Sequence, residues 1–386
     1  MGENAPTNQP NMEYPDSKSD SLYLTHPTPE EKLATWTLNA VNWGNALSTS
    51  DYLAREAYLL TVPLARNGGV THWILVDRTL PPNERPILAS CETLRKPVVV
   101  SRNGTITEAI THGIGSVFSQ PKYRGRGYAS RMLRDLGPTL KEWQVDQSTP
   151  GQQTCPFSIL YSDIGKKYYT KFGWTPFPST HIAFPPVANS KPSTAKPLTS
   201  PDLEELCALD AQYVRRSLEI AKDGKIHVAL IPNHDTMQWH HMREDFVAGK
   251  IFGKSPSIKG AIAGEPGSRI WAIWTRAFYG PLKPDSGNTL HILRLVIEDE
   301  TDTKQNAAKL KAILEIAQAE AKEWQVGHVE LWNPTEVVKK LVQMTGSEHS
   351  EVEREEESIA SLMWYGEGSG NTDEIEWVGN EKYGWC

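Results

Sequence analysis

The chain has 386 residues, ordinary apolar and charged fractions, and a net charge of −7. That length supports two domains with sizeable cores, and that charge disfavours a general nucleic-acid or membrane-surface binder while suiting a small cationic substrate. The four cysteines, Cys91, Cys155, Cys207 and Cys386, form no CxxC pair, which reads as reduced thiols in a cytosolic or nuclear compartment with no structural zinc, and a cytoplasmic protein is expected. No stretch is long and apolar enough to span a bilayer.

Residues 1–20 are polar, with no arginine and no apolar run. They are expected to be a disordered arm, neither a secretory signal nor a transit peptide. A first folded unit is expected over 21–185. It starts with a short strand, then a helix from Pro29 that Thr28 caps, with Glu30 and Glu31 in a first turn whose dipole favours carboxylates. "YLAREAYLLTVP" predicts a second helix stopped by Pro63. "THWILVD", "PILASCETLRKPVVVS" and "AITHGIGSVFSQ" predict strands. A helix is expected from Arg126 to Glu142, a strand at "PFSILYSD", and a short helix stopped by Gly173.

Residues 186–200, rich in Pro, Ser and Thr, are expected to be an exposed linker. A second unit spans 201–365 and opens on the amphipathic pattern "DLEELCALDAQYVRRSLEIAK". It echoes the first. "KEWQV" occurs at Lys141–Val145 and again at Lys322–Val326, each time closing a long helix before a strand and a short helix. The adjacent His240 and His241 do not share a helix face, so packing or surface roles are expected rather than metal ligation. The acidic run 347–358 is expected to be solvated. Residues 366–386 form a tail that a frayed end would leave with Trp377, Tyr383 and Trp385 exposed.

Chemistry concentrates in "VFSQPKYRGRGYASRML", Val117 to Leu133. Glycines at a helix start let backbone N–H groups close on an anion, and the helix N-terminus adds partial positive charge. Lys122, Arg124 and Arg126 add full charges. The stretch reads as a phosphate or pyrophosphate cradle, against the plainer alternative of a basic solvated turn. A Walker A loop would need Lys-Ser/Thr after the last glycine, where Tyr128-Ala129 stands. A Rossmann fingerprint would need Gly or Ala at Ser130 and would follow the first strand. An acetyl-CoA loop, Arg/Gln-x-x-Gly-x-Gly/Ala, is satisfied by Arg124, Gly127 and Ala129.

These residues resemble the GCN5-related N-acetyltransferases (GNAT). "SILYSDIGKKYYTKFGW" resembles their next strand and helix, with Tyr169-x-x-x-Gly173-Trp174 in place of the usual Tyr-x-x-x-Gly-Phe. The start "LTHPTPEEKLATW" and the linked second half are most similar to fungal L-lysine N6-acetyltransferases. The resemblance implies two tandem GNAT-like α/β domains, with mixed, mostly antiparallel sheets flanked by helices, the second lacking a CoA loop. There, "EDETDTKQNAA" replaces the glycines with carboxylates.

It also implies transfer of an acetyl group from acetyl-CoA to the ε-amine of free L-lysine, in lysine breakdown, by direct amine attack. Val117, Phe118 and Ser119 would pair with the pantetheine. Arg124, Gly125, Arg126, Gly127, Tyr128 and Ala129 would hold the pyrophosphate. Tyr169, protonated below about pH 10, would return a proton to the leaving thiolate, with Tyr168 as the alternative. The base is expected among Glu92, His112 and the C-terminal carboxylate of Cys386, if the tail folds back into the site. Rival readings are acetylation of protein lysines or other small amines, and a non-catalytic acyl-CoA sensor. No nucleic-acid or membrane partner is expected.

Overall fold

The computed structural model describes residues 14–145, 154–188, 194–283 and 286–385. The first half contains β1 (Leu22–Thr25), α1 (Pro29–Trp43), α2 (Thr49–Leu59), β2 (Val70–Asp77), β3 (Ala89–Arg102), β4 (Thr105–Phe118), α3 (Tyr128–Glu142), β5 (Phe157–Ser162), α4 (Lys167–Thr170), β6 (Thr175–Pro176) and β7 (Thr180–Phe184). The second half contains β8 (Lys196–Leu198), α5 (Leu203–Ile220), β9 (Ile226–Leu230), α6 (His234–Phe252), β10 (Gly260–Ala263), β11 (Ile270–Ala277), β12 (Thr289–Ile297), α7 (Lys304–Glu323), β13 (His328–Trp332), α8 (Glu336–Thr345), β14 (Ser350–Glu353), β15 (Ile359–Trp364) and β16 (Ile375–Trp377).

Local chemistry explains the helix starts. Thr28 accepts from the Glu31 amide while Glu31 reaches back to the Thr28 amide, a reciprocal capping box, and Pro29 follows at a position whose N–H needs no partner. Arg85 fixes the same Glu31 carboxylate from the β2–β3 connection at 2.8 Å, so the cap also ties α1 to the sheet.

The two halves repeat one plan. β3 and β4 are antiparallel and β4 and β5 parallel; β11 and β12 are antiparallel and β12 and β13 parallel. The repeated pentapeptide adopts the same turn twice, with Gln144 at φ 58° and Gln325 at φ 55°. Two residues that are not glycine share this uncommon left-handed backbone at matching positions. That supports duplication more strongly than the identity of the letters.

The halves exchange strands. After α4, β7 leaves the first sheet and pairs antiparallel with β13. After α8, β15 crosses the other way and pairs antiparallel with β5. β9 and β16, also from the second half, extend the first sheet beyond β3. Among the described residues the first sheet has nine strands and the second seven. A large apolar cluster lies between the sheets, joining Phe157, Ile159 and Leu230 to Trp271, Trp332, Trp377 and Tyr383.

Several expectations therefore change. The sheets do not divide at 186–200: β7 already belongs to the second sheet, and β8, inside the expected linker, pairs with β10. The unit expected over 201–365 gives β9 and β15 to the first sheet. The arm expected to be disordered over 1–20 is packed from Tyr14 on; residues 1–13 lie outside the described residues. Its backbone supplies acceptors to α3: Tyr128 donates to Pro15 O at 2.7 Å, and Arg131 donates to the carbonyls of Ser17, Ser19 and Leu22. The acidic run places β14 at an exposed sheet edge, where like charge disfavours edge pairing. His240 and His241 are both buried and bond to the carbonyls of Tyr383 and Trp274.

Candidate active site

The α3 N-terminus is built for an anion. Its cap is Gly127 at φ 84°, with no side-chain hydrogen bond, and Gly125 stands at φ 76°. A Cβ on Gly125 would meet nothing within 4 Å, so its outer face is open. Among the described residues no carbonyl accepts from the Gly125, Arg126 or Gly127 amides, and no carboxylate pairs with the exposed Lys122, Arg124 or Arg126. These groups fit a pyrophosphate. At the matching place in the second half, Thr303 caps α7 by accepting from the Asn306 amide at 3.2 Å. A side chain there occupies the position an anion takes on α3.

The strand before the loop opens a gap. β4 pairs with β5 only from His112 to Ile114, against Ser158 to Leu160. Beyond Ile114, β4 runs on to Phe118 along β3 and β5 to Ser162 along β15, but the two no longer pair with each other. A bulge marks the divergence: the β3–β4 register shifts between Ser90 and Glu92, and Ser116 takes φ 53°. The unpaired edge at Val117, Phe118 and Ser119 is where an extended thioester arm would lie. Pro121 then starts a short 3₁₀ turn, since it has no N–H to continue a ladder.

Glu92 faces a small pocket between α1 and the sheet, whose lining includes Trp36, Asn39, His72 and Ser116. Its carboxylate accepts from Ser116 Oγ at 2.8 Å and lies 3.5 Å from His72 Nε2. Burial raises its pKa, against the opposing pull of the Ser116 hydrogen bond and of Arg55 and Arg243. Burial pushes His72 down to about 4, so this neighbour is neutral at pH 7. Trp36 Nε1 and Asn39 Oδ1 are buried with no hydrogen-bond partner among the described residues. A pocket with a raised carboxyl and an unmet Asn39 carbonyl oxygen, both acceptors, can receive an ammonium and take a proton from it.

His112 is elsewhere. Its register partner is Arg95, three residues from Glu92, so the two side chains point to opposite faces of the sheet. His112 Nε2 is 3.0 Å from Trp143 O, and burial pushes its pKa down to about 4. The structure brings Glu92, and not His112, to the pocket.

Tyr169 lies on α4, in the cluster that includes Cys91, Leu160 and Trp174. It is 8% exposed, and its hydroxyl has no hydrogen-bond partner among the described residues. Burial raises its pKa, so the group stays protonated at neutral pH. Tyr168 stands edge-on to it at 5.2 Å and is half-buried, with its hydroxyl 3.4 Å from Ser130 Oγ.

The tail runs into the molecule. Trp377 and Tyr383 are buried, and Tyr383 donates to Leu230 O at 2.9 Å. Lys96 is on the same face of β3 as Glu92, two register positions beyond Leu94. It donates to Gly384 O at 2.8 Å and Trp385 O at 3.0 Å. The expected role of Cys386 falls on a residue outside the described ones.

Sequence reasoning missed the basic groups that gather where α6 meets this tail. Arg243 on α6 lies 5.6 Å from the Trp385 ring, and Lys382 Nζ is 4.3 Å from the same ring and 4.2 Å from that of Trp332. Burial brings the Lys382 pKa down to about 7, ahead of opposing contributions from Glu330 and Asp163. "QWHHMRED" carries no sign that Arg243 faces inward. Only the packing of α6 on α2 reveals it.

Two sheets with splayed parallel strands, one glycine-built helix N-terminus and a raised carboxyl beside the splay define an acetyltransferase of GNAT type. Residues 181–386 match the family described as "LYC1 GNAT-like C-terminal domain". The match begins at β7, where the chain enters the second sheet. The chain belongs to this family. It is 26% identical over 286 residues to a protein of Yarrowia lipolytica named lysine acetyltransferase, covering 64% of this chain and 70% of that protein. It is 26% identical over 408 residues to an uncharacterized protein of Saccharomyces cerevisiae, covering 95% of this chain and 98% of the relative. A probable N-acyltransferase from Enterococcus faecalis shares the fold at a TM-score of 0.52 and 14% identity, over 88% of this chain and 72% of its own.

Proposed function

We propose that this enzyme transfers the acetyl group of acetyl-CoA to the ε-amine of free L-lysine, in cytoplasmic lysine degradation. The observation that carries the chemistry is the Glu92 carboxylate, held by Ser116 at 2.8 Å in the pocket beside the bulge in β4. The lysine-specific part is supported by the Yarrowia lipolytica relative's name. The enclosing second half and tail suit a small acceptor better than a peptide. Cys91, Cys155 and Cys207 are unpaired and buried, in keeping with a reducing compartment.

Bound acetyl-CoA supplies the activated thioester. The amides from Gly125 to Ala129 hold its pyrophosphate, and the unpaired edge of β4 from Val117 to Ser119 aligns its arm. Glu92 takes the proton from the acceptor ammonium, whose unperturbed pKa of about 10.4 otherwise keeps it non-nucleophilic at pH 7. Tyr169 returns a proton to the leaving sulfur from the other face of the sheet. CoA release should be measured with free lysine, other small amines and a lysine-containing peptide. The reading predicts the highest kcat/KM for free lysine. A preference for the peptide would transfer the activity to protein lysines, and acetyl-CoA binding without turnover of any amine would make the chain a sensor.

A further inference from the structure

Arg243 is set in a seam between two helices. Along α6, Trp239 packs with Leu59 and Val62, Phe246 stacks on Tyr58 at 5.5 Å, and Lys250 pairs with Asp51 at 2.7 Å. Arg243 falls on the same stripe, between Trp239 and Phe246. Across the seam, Arg55 is occupied: its guanidinium donates to Glu56 at 2.5 and 2.9 Å. Arg243 has no hydrogen-bond or ion-pair partner among the described residues, and neither has Lys382, although Lys382 is only 3% exposed. Both cations sit beside the Trp385 indole.

Carboxylates act on both groups only at a distance, Glu330 and Asp163 on Lys382 and Glu56 on Arg243, so a ligand carboxylate in direct contact would favour the charged form of each. The indole stabilises each cation in part and leaves their hydrogen-bond donors unused. A guanidinium presents two parallel N–H groups, which match a carboxylate. Arg243 is also within electrostatic reach of Glu92, whose carboxyl it helps to hold ionised. Leu94, next after Glu92 on the same face of β3, packs in one cluster with Trp239 and Trp385, so a carboxylate for an amine and two basic groups for an anion lie on one side of the sheet.

We propose that Arg243 and Lys382 bind the α-carboxylate of a free amino acid whose side-chain amine is presented to Glu92. This rests on the reading that the acceptor is a free amino acid, and it names the group that distinguishes one from a peptide. A lysine within a peptide has no free α-carboxylate to offer, so the site excludes it by leaving both cations unmet. A diamine of the same length offers a second ammonium to the same cations and is repelled.

The test is calorimetric titration of the full chain with CoA present, using L-lysine and 1,5-diaminopentane, for wild type and Arg243→Gln. The wild type should bind lysine about 10- to 100-fold more tightly than the diamine, the size of a charge-assisted pair. In Arg243→Gln this ratio should collapse towards one. Arg243→Lys, which keeps the charge and loses the fork, should fall between, and Lys382→Met should lower the ratio as well. These two variants decide the matter if Arg243→Gln does not fold. Equal wild-type binding of both ligands, or a parallel loss for both in the variants, overturns the carboxylate site. Lysine acetylation with a preference untouched by these substitutions overturns this site alone. A carboxylate preference that depends on Arg243, without lysine acetylation, overturns the free-lysine reading and keeps the site.

Discussion

Glu92 on β3 accepts a 2.8 Å hydrogen bond from Ser116, the residue whose left-handed backbone forms the bulge in β4. One contact therefore links the carboxyl proposed to deprotonate the amine to the kink that opens the gap for the thioester. The bulge turns Ser116 towards the pocket and frees the next residues from β5.

Glu92→Gln removes the proposed base. We expect kcat to fall about 10²–10⁴-fold, the usual range for a lost general base. Because burial raises this carboxyl, the acidic limb of kcat/KM should lie above the ordinary glutamate value of about 4.3 and be absent in the variant. A folded pKa above the unfolded one means that the native state holds more protons between the two values. Stability then falls as pH rises through that window. At neutral pH the uncharged glutamine should raise stability by roughly 1 kcal/mol, as seen in thermal denaturation.

Tyr169→Phe keeps the packing in its cluster and removes only the hydroxyl. Turnover should drop about 10²-fold or more while the acetyl-CoA dissociation constant stays within about twofold. Since burial raises this hydroxyl, the wild type should show no alkaline loss assignable to Tyr169 below about pH 10. A turnover equal to wild type in Tyr169→Phe removes the residue from the reaction.

Gly127→Ala places a Cβ 2.8 Å from Ser17 Oγ on a backbone at φ 84°. The strain, about 1–2 kcal/mol, falls at the helix N-terminus that receives the pyrophosphate. KM for acetyl-CoA should rise about tenfold. Gly267→Ala is the control. It has φ 87° and open space around it, so it carries the same backbone strain far from the loop and should leave that KM unaltered.

Lys96→Met deletes the hydrogen bonds to the Gly384 and Trp385 carbonyls. Stability should fall by about 1–3 kcal/mol, measured by urea unfolding. Carboxypeptidase should then remove Trp385 faster from the variant than from wild type. Equal digestion rates would show that the tail is held by other contacts.

Part of this was legible in the sequence for physical reasons. Thr28 and Glu31 announce a capping box because both partners lie in one turn. Gly125 and Gly127 announce a left-handed loop because few other residues tolerate it. The repeated pentapeptide marked the two halves. The exchange of β7 and β15 was not legible, since an antiparallel neighbour leaves no mark on the strand it joins. Arg243 and Lys382 were missed for a related reason. Each lies in a segment with an ordinary local pattern, and only the tertiary fold brings Arg243 to Trp385 and Lys382 to Trp332 and Trp385. The two base candidates on adjacent strands looked alike until the register set Glu92 and His112 on opposite faces.

The most direct test of the account is the mass and acetylation position of the product formed from acetyl-CoA and free L-lysine, followed by NMR. The account predicts N6-acetyl-L-lysine, formed by wild type and reduced about 10²-fold or more in Glu92→Gln. Acetylation at the α-amine, or an N6 product formed equally by the variant, would contradict it.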